Sequence, residues 1–530
     1  MRRNDLDALR AIAMLLGIVL HGIMSFIPDT IWMVQDKNSH PIYHIIFSAI
    51  HGFRMPLFFL ISGFFTAMLW KKKGLKQLIK HRFKRIFLPL LAGFLTIIPL
   101  TFYIVFLTST MESPKVEDHF QRNPLITKAE DNVFSAIKEG NINTVKESLN
   151  NNIIDPNYFN LYKTNLINLA VLHDQPTILK LLIEKGADVN ARLGDSGTAL
   201  HMAILFGHAK CTQLLINHGA EVNVLNYLNI SPLDYIYTDS TTTQFLAGLN
   251  KIDFNETSIK KGRKQCLKLL QEAQATHGSA NIVFILLTTI PIFQHLWFLW
   301  YLCWMIVLFS MVVYFIKKVN FSLPTSFLLS PIRYFFLIPI TLFFQYHMGL
   351  MVPVFGPDTF GGLLPMPNLF FYYCLFFFFG ALYWESNDTQ EKLGRHWKVT
   401  LPLSLLLVFP LGYLTTHDFD YYHRPLSILT QSLFVWLMCF SSIGVFRSYF
   451  TKENKILRYL SDASYWLYLT HMPLIIYLQA YLKSWNLSPH IKLILILSTT
   501  CFLLLSLYQA IIRYTFIGTF LNGPRNKSIP

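Results

Sequence analysis

Asp7, Arg10, Met14, Gly17 and His21 follow a three, four, three, four spacing that lines them along one face of a helix. The surrounding run, residues 8–28, is apolar enough to sit in a bilayer. There an ionisable side chain is costly unless it faces a bundle interior or a wet cavity, so this stripe points to function. Imidazole is the side chain suited to moving a proton near neutral pH. A guanidinium can hold a phosphate or carboxylate, or stabilise developing negative charge. Arg10 lies near one end of the helix, and His21 is 11 residues on, roughly 16 Å deeper. A second polar face follows, where His51, Arg54, Phe58 and Ser62 share one side of the next apolar run. The two faces are expected to line a common cavity, with Asp7 orienting Arg10 through an ion pair. Each residue alone has a plainer reading, Arg10 snorkelling to lipid phosphate and His21 bonding a neighbouring helix.

The elements that must position these groups are membrane helices. With 53% hydrophobic and 15% aromatic residues in 530, the chain has more apolar side chain than a soluble protein of this length could bury. Runs of about 20 apolar residues span the hydrocarbon core. Ten are found, near 8–28, 45–70, 86–109, 293–316, 333–351, 368–384, 398–416, 426–446, 463–482 and 490–513. The expected fold is all-α, a polytopic membrane bundle of about ten transmembrane helices. Asp7 and Arg10 interrupt the start of the first run and no small-residue cleavage pattern follows, so it reads as helix one rather than a signal peptide. Residues 112–279 hold 16 Lys+Arg against 18 Asp+Glu, so the rest of the chain carries the whole net charge of +15 and slightly more. If the helices alternate, Arg2, Arg3, the basic loop from Lys71 to Arg85, Lys317, Lys318, Arg447, Lys452, Lys455, Arg458 and Arg513 share one side. The opposite short loops offer Lys37, Arg424, Lys483 and Lys492. By the positive-inside rule both termini are cytoplasmic and residues 112–279 lie outside the cytoplasm. The loop lysines also suit contact with anionic membrane lipid. The apolar stretch 281–291, about half a span and ending in Pro291, reads as an interfacial or re-entrant piece.

That insert repeats with a 33-residue period. Gly-Ala-Asp-Val-Asn at 186–190 returns as Gly-Ala-Glu-Val-Asn at 219–223, and Ala170 aligns with Ala203. Thr198-Ala-Leu-His201-Met-Ala203 and Ser231-Pro-Leu-Asp234 begin successive units, a looser one starts near Ala129, and Gly262 to Leu270 echoes Gly207 to Leu215 after a loop near 238–260. The segment resembles ankyrin repeats, which implies an α-solenoid with a concave face able to bind a protein partner. Cys211 and Cys266 occupy equivalent repeat positions and are expected as free thiols. Cys303, Cys374, Cys439 and Cys501 read as apolar packing residues in membrane helices. The domain reading is residues 1–110 and 280–530 as two parts of one membrane domain, with residues 111–279 inserted as repeats.

Arg10 followed by His21 matches a first-helix motif of the acyltransferase-3 family of membrane O-acyltransferases. His51-Gly-Phe-Arg54-Met-Pro-Leu-Phe-Phe-Leu-Ile-Ser62-Gly63 resembles its second-helix signature, and Arg82-Phe-Lys-Arg85 its Arg-x-x-Arg element. His295-Leu-Trp297-Phe-Leu-Trp-Tyr301, Gly356-Pro-Asp-Thr-Phe-Gly361 and Ser464-Tyr465-Trp-Leu-Tyr468-Leu-Thr-His471 look like the branch containing glucans biosynthesis protein C, a succinyltransferase. The resemblance covers residues 1–110 and 280–515. It implies an acyltransferase in which His21 is the general base and Arg10 faces the thioester arm or the developing charge. Arg82 and Arg85 would grip the phosphates of an acyl-CoA, with Arg54 beside them. Asp7, His51, Ser62, His295, Trp297, Tyr301, Tyr465 and His471 are supporting candidates, although an interfacial aromatic belt also explains Trp297, Tyr301 and Tyr465. The donor would be acetyl-CoA or succinyl-CoA as a substrate, with no permanently bound cofactor, and the acceptor an extracytoplasmic, carbohydrate hydroxyl at a bacterial inner membrane. No metal-ligand spacing, P-loop or dinucleotide pattern occurs, and Gly361-Gly362 reads as a turn. Nucleic acid is not an expected partner, because the basic residues are committed to topology. The rival readings are a transporter or channel with an ankyrin regulatory module, and an inactive scaffold that binds a partner through the repeats. Against the transporter, the sequence has no inverted-repeat hydropathy and no matched pair of broken helices.

Overall fold

The computed structural model describes residues 3–28, 32–109, 128–158, 165–193, 197–226, 230–240, 243–244, 247, 252, 254–276, 287, 292–319, 326–349, 354–359, 362–417 and 424–523. Arg2, Thr242, Gly361, residues 281–286 and 288–291, and the Lys317 side chain lie outside the described residues. The described elements are helical, with no strand among them.

Among the described residues, seven helices are long and apolar enough to cross a bilayer: Asn4–Phe26, Ile42–Thr108, Gln294–Ile316, Pro367–Glu385, Trp397–Thr416, Arg424–Tyr449 and Pro489–Ile512. The second runs 67 residues, about 100 Å at helical rise and roughly three times the hydrocarbon thickness, so it contains two crossings. We label its arms α2 (Ile42–Arg82) and α3 (Leu88–Ser109), after α1 (Asn4–Ile23). Between the arms the chain leaves helical geometry at Gly74 (φ 78°, ψ 169°) and makes a π turn over Phe83–Phe87. The later helices are α4 (Trp297–Val319), α5 (Arg333–Tyr346), α6 (Pro367–Glu385), α7 (Trp397–Leu403), α8 (Arg424–Tyr449), α9 (Lys455–Lys483) and α10 (Pro489–Leu507). The expected run at 333–351 folds as only 14 helical residues in α5, about 21 Å and too short to span by itself. The run at 463–482 belongs to α9, 29 residues long and interrupted by polar side chains and Pro473.

Large apolar side chains point outward on several of these helices, among them Leu95, Phe102 and Phe106 on α3, Phe335 on α5 and Phe502 on α10. In water such a surface would drive aggregation, whereas in lipid it is matched, and the chain is an integral membrane protein. Because lipid is as apolar as leucine, helix association there relies on close packing. Gly63 of α2 and Gly380 of α6 supply it. A Cβ built on Gly63 would stand 1.8 Å from the Phe377 carbonyl oxygen, and one on Gly380 would stand 1.9 Å from that of Leu60.

The insert contains helix pairs Lys128–Glu139 with Ile142–Asn150, Leu166–Leu172 with Pro176–Glu184, and Ala199–Phe206 with Ala209–Asn217. A short turn at Pro232–Tyr237 and the helix Glu256–Glu272 follow. Helix starts recur at Asn165, Thr198 and Ser231, whose side chains or capping boxes satisfy free N–H groups. The repeats are laced by asparagines. Asn157 donates from Nδ2 to Gly186 O (3.0 Å) and accepts at Oδ1 from Asp188 N (2.7 Å), and Asn190 does the same one repeat later with Gly219 O (3.0 Å) and Glu221 N (2.8 Å). Asn223 then accepts from Thr276 N at 2.6 Å. Cys211 and Cys266 are free and fully buried, and burial pushes both thiols up.

Candidate active site

The site is built where α9 crosses α1. Pro473 lacks an N–H, so the carbonyl of Leu469, four residues earlier, loses its helical donor. His295 Nε2, on the turn that leads into α4, donates to that carbonyl at 3.2 Å. Tyr468 OH in turn donates to the His295 carbonyl at 2.7 Å. Two residues before the proline, His471 is 2% exposed and lies against the carbonyls of Leu467 (3.0 Å) and Tyr468 (2.8 Å) through Nδ1.

This fixes a chain of tautomers. A carbonyl oxygen can only accept, so His471 Nδ1 carries a hydrogen and, in a neutral ring, Nε2 carries a lone pair. His21 Nδ1 sits 2.8 Å from His471 Nε2 and therefore donates to it. The neutral His21 ring is left with its own lone pair on Nε2, the form a general base needs. If His21 acts as a base, His471 would orient it as the third member of a hydrolytic triad orients its histidine. The rings of His21 and His471 are stacked 5.1 Å apart, and His295 meets His471 edge-on at 5.3 Å. His295 Nδ1 is buried with no hydrogen-bond partner among the described residues.

Helix α1 is held in register by Gln479, one helical stretch beyond His471. Its Nε2 donates to the carbonyls of His21 (3.0 Å) and Gly22 (3.1 Å), and its Oε1 accepts from Trp32 Nε1 at 2.9 Å. The Trp32 ring lies parallel to His21, 5° between planes and 6.1 Å between centroids. Trp32 belongs to residues 32–40, which are clamped over the end of α1. Asp36 N donates to Ser25 O, His40 N to Phe26 O, and Asn38 Nδ2 to Leu487 O. Lys492 Nζ reaches Asp36 Oδ2 at 2.7 Å and Oδ1 at 3.0 Å, with side chains 0% and 1% exposed, and also Lys483 O at 3.2 Å. Lys492, counted in the sequence as an outer loop charge, is therefore an interior ion-pair partner.

Gly17 lies one turn before His21, and a Cβ there would stand 2.2 Å from Arg54 Nη1. The missing side chain is what lets the Arg54 guanidinium reach α1, and Arg54 Nε is buried without a partner among the described residues. His51 is turned to a different purpose: its Nε2 donates to Pro357 O at 2.8 Å. That carbonyl belongs to residues 354–358, whose Phe355 packs between Phe409 and Phe434. Ser62 is half-buried, and its carbonyl accepts from Thr66 Oγ1.

Toward the other end of α1, Arg10 Nη2 is 3.6 Å from Asp7 and donates to Ser461 Oγ at 3.2 Å. Arg82 Nη2 donates to Thr66 Oγ1 at 2.9 Å, and its Nε has no partner among the described residues. Arg85 Nη1 donates to the carbonyls of Thr519 (2.6 Å) and Phe520 (2.8 Å), tying down the C-terminal helix, while Tyr465 OH donates to the Arg85 carbonyl. Trp297 and Tyr301 are buried against Tyr373 in the aromatic core rather than beside His21. Gln479, Trp32, Asp36 and Lys492 were not among the sequence candidates. Trp32 and Asp36 lie 11 and 15 residues after His21, beyond the end of its helix, and Gln479 and Lys492 sit more than 400 residues away from it.

Residues 3–117 and 267–512 match the acyltransferase-3 family, described as an acyltransferase domain. The chain belongs to this family. Residues 133–226 and 168–258 match ankyrin repeats in three copies. Among individual proteins, the chain is similar to glucans biosynthesis protein C of Escherichia coli (strain K12), 40% identical over 92 residues, 17% of this chain and 24% of that protein. It is also similar to two ankyrin repeat proteins of Fowlpox virus (strain NVSL). One is 31% identical over 135 residues, 25% of this chain and 20% of the viral protein. The other is 32% identical over 131 residues, 24% and 28% of the two chains. The chain thus spans about a quarter of the length of the curated relatives it matches.

Proposed function

We propose that this protein is a membrane O-acyltransferase that moves an acetyl or succinyl group from a cytoplasmic acyl-CoA to a carbohydrate hydroxyl outside the cytoplasm. The observation that carries the reading is the free Nε2 lone pair of His21, imposed by the bond from its Nδ1 to His471. In the reaction the acceptor oxygen attacks the thioester carbon and its proton passes to His21 Nε2. The C–S bond then breaks, and the proton goes to the departing thiolate. The His21 imidazolium formed on the way keeps its Nδ1–H on His471, a bond that strengthens as charge appears. Arg54 is placed to meet negative charge developing on the carbonyl oxygen.

The donor would enter from the side of Arg10 and Arg82. Eleven residues of helix separate Arg10 from His21, about 16 Å, a distance that the extended arm of coenzyme A can bridge. Arg82, with its unpartnered Nε, is the better placed phosphate ligand, because Arg85 is bonded to the C-terminal helix. The likeness to glucans biosynthesis protein C supports a carbohydrate acceptor, and the charge distribution supports a bacterial inner membrane with cytoplasmic termini. The same charge distribution supports a position of the repeats outside the cytoplasm, where their concave face would recruit a protein partner to the acceptor side.

The test is transfer from labelled acetyl-CoA or succinyl-CoA in proteoliposomes. His21→Ala should lower turnover by about 10² to 10⁴ while the protein stays folded in the membrane. Near wild-type turnover in that variant would make His21 structural and end the proposed mechanism. A wild-type protein that conducts or transports but never transfers an acyl group would favour the transporter reading.

A further inference from the structure

We infer that Trp32 is the platform on which a pyranose ring lies while one of its hydroxyls is acylated. The inference rests on the proposed acyl transfer and adds the shape and orientation of the acceptor. Trp32 is half-buried, so part of its surface remains open, and it stands beside His21, whose Nε2 is free. A pyranose carries its axial C–H bonds perpendicular to its mean plane, and these slightly positive hydrogens suit the negative face of an indole. Its equatorial hydroxyls project close to that mean plane. The lone pair of an imidazole nitrogen also lies in the plane of its ring. Because the Trp32 and His21 planes differ by only 5°, a sugar lying flat on the indole would hold its mean plane parallel to the His21 ring, so that its equatorial hydroxyls project in the same sense as the Nε2 lone pair.

The indole is also fixed before any acceptor arrives. Its N–H is held by Gln479 Oε1, and the same amide holds the backbone of His21, so platform and base are positioned by one side chain. The segment that carries Trp32 is locked by the interior Asp36–Lys492 pair. Such preorganisation lowers the entropy cost of orienting an acceptor.

The experiment uses the full chain in proteoliposomes with labelled acetyl-CoA and succinyl-CoA. The two acceptors are methyl β-glucopyranoside, a ring, and glycerol, which has hydroxyls but no ring face. Trp32→Leu should raise the apparent KM for the glucoside about 3- to 10-fold more than that for glycerol. Trp32→Phe, which keeps a ring but loses the bond to Gln479, should retain most of the glucoside affinity. Equal losses for both acceptors in Trp32→Leu would overturn the inference, since Trp32 would then only position His21. An unchanged glucoside KM would overturn it too. A wild-type protein that acylates neither acceptor would defeat the proposed transfer itself, an outcome separate from loss of ring selectivity.

Discussion

His471 makes the sharpest test of the relay, because it is predicted to act without touching substrate. Replacing it with Phe keeps the ring and its stacking but removes the acceptor for His21 Nδ1–H and the donor to Leu467 and Tyr468. Two losses follow. The His21 ring no longer has its tautomer fixed, and the imidazolium formed in the transition state loses a charge-assisted hydrogen bond. Such a bond contributes about 1.5 to 3 kcal/mol, and about 1.4 kcal/mol is a factor of ten in rate. Turnover should therefore fall about 10- to 100-fold, less than for removal of the base itself. Donor KM should stay near the wild-type value, since in the proposed function the donor phosphates would be held by Arg82, away from His471. His471→Gln, whose side-chain carbonyl can accept from His21 Nδ1, should recover most of the lost rate. Measuring kcat and donor KM for the three proteins side by side decides the matter. If His471→Phe keeps more than half of wild-type turnover, or if His471→Gln is as slow as His471→Phe while equally well folded, the relay is wrong.

Lys492→Met should destabilise the detergent-solubilised protein by about 3 to 5 kcal/mol by leaving Asp36 buried without its partner. The double variant Asp36→Asn with Lys492→Met should recover most of that in thermal unfolding, and additive losses would contradict the pairing. Gly63→Ala should cost about 1 to 3 kcal/mol or more by pushing α2 away from the Phe377 carbonyl, read as a lowered melting temperature, whereas an unshifted melt would mean the two helices are free to separate. A cysteine at Lys185, exposed on the repeats, should react with a membrane-impermeant thiol reagent in intact cells, while the buried Cys211 and Cys266 stay silent. Labelling only after the inner membrane is opened would put the repeats in the cytoplasm.

What the sequence disclosed follows from periodicity. Apolar runs of span length located most of the membrane helices to within a few residues, although the run at 333–351 folds as the short α5 and α2 and α9 extend well past theirs, and the 33-residue repeat located the unit starts at Thr198 and Ser231. Asp7 and Arg10, three apart on one helix, were legible as a pair because helix geometry puts them on neighbouring turns. Periodicity states which face of a helix is special but not which other helix it faces. The His21–His471 bond joins residues 450 apart, and nothing in either local sequence specifies that meeting. Gln479 and Lys492 look like an ordinary polar residue and a surface charge in a membrane helix and its flank. Only the crossing of α1 with α9 and the return of residues 32–40 over it turn them into supports. The same limit explains Arg85, whose type and place suited phosphate binding while its neighbours in space are backbone carbonyls.

The asparagine ladder of the insert has a consequence for how this domain can change in length. Asn157 and Asn190 each bond the following unit in the same way, so these two junctions present an equivalent pair of surfaces. A whole 33-residue unit could be duplicated or removed between two such junctions without creating an unmatched end, because the new junction would reproduce the old one. Partial units would leave a donor or acceptor facing the wrong groove. The reach of the domain away from the membrane is therefore quantised, adjustable in whole steps by recombination while the catalytic bundle on either side of it keeps its sequence.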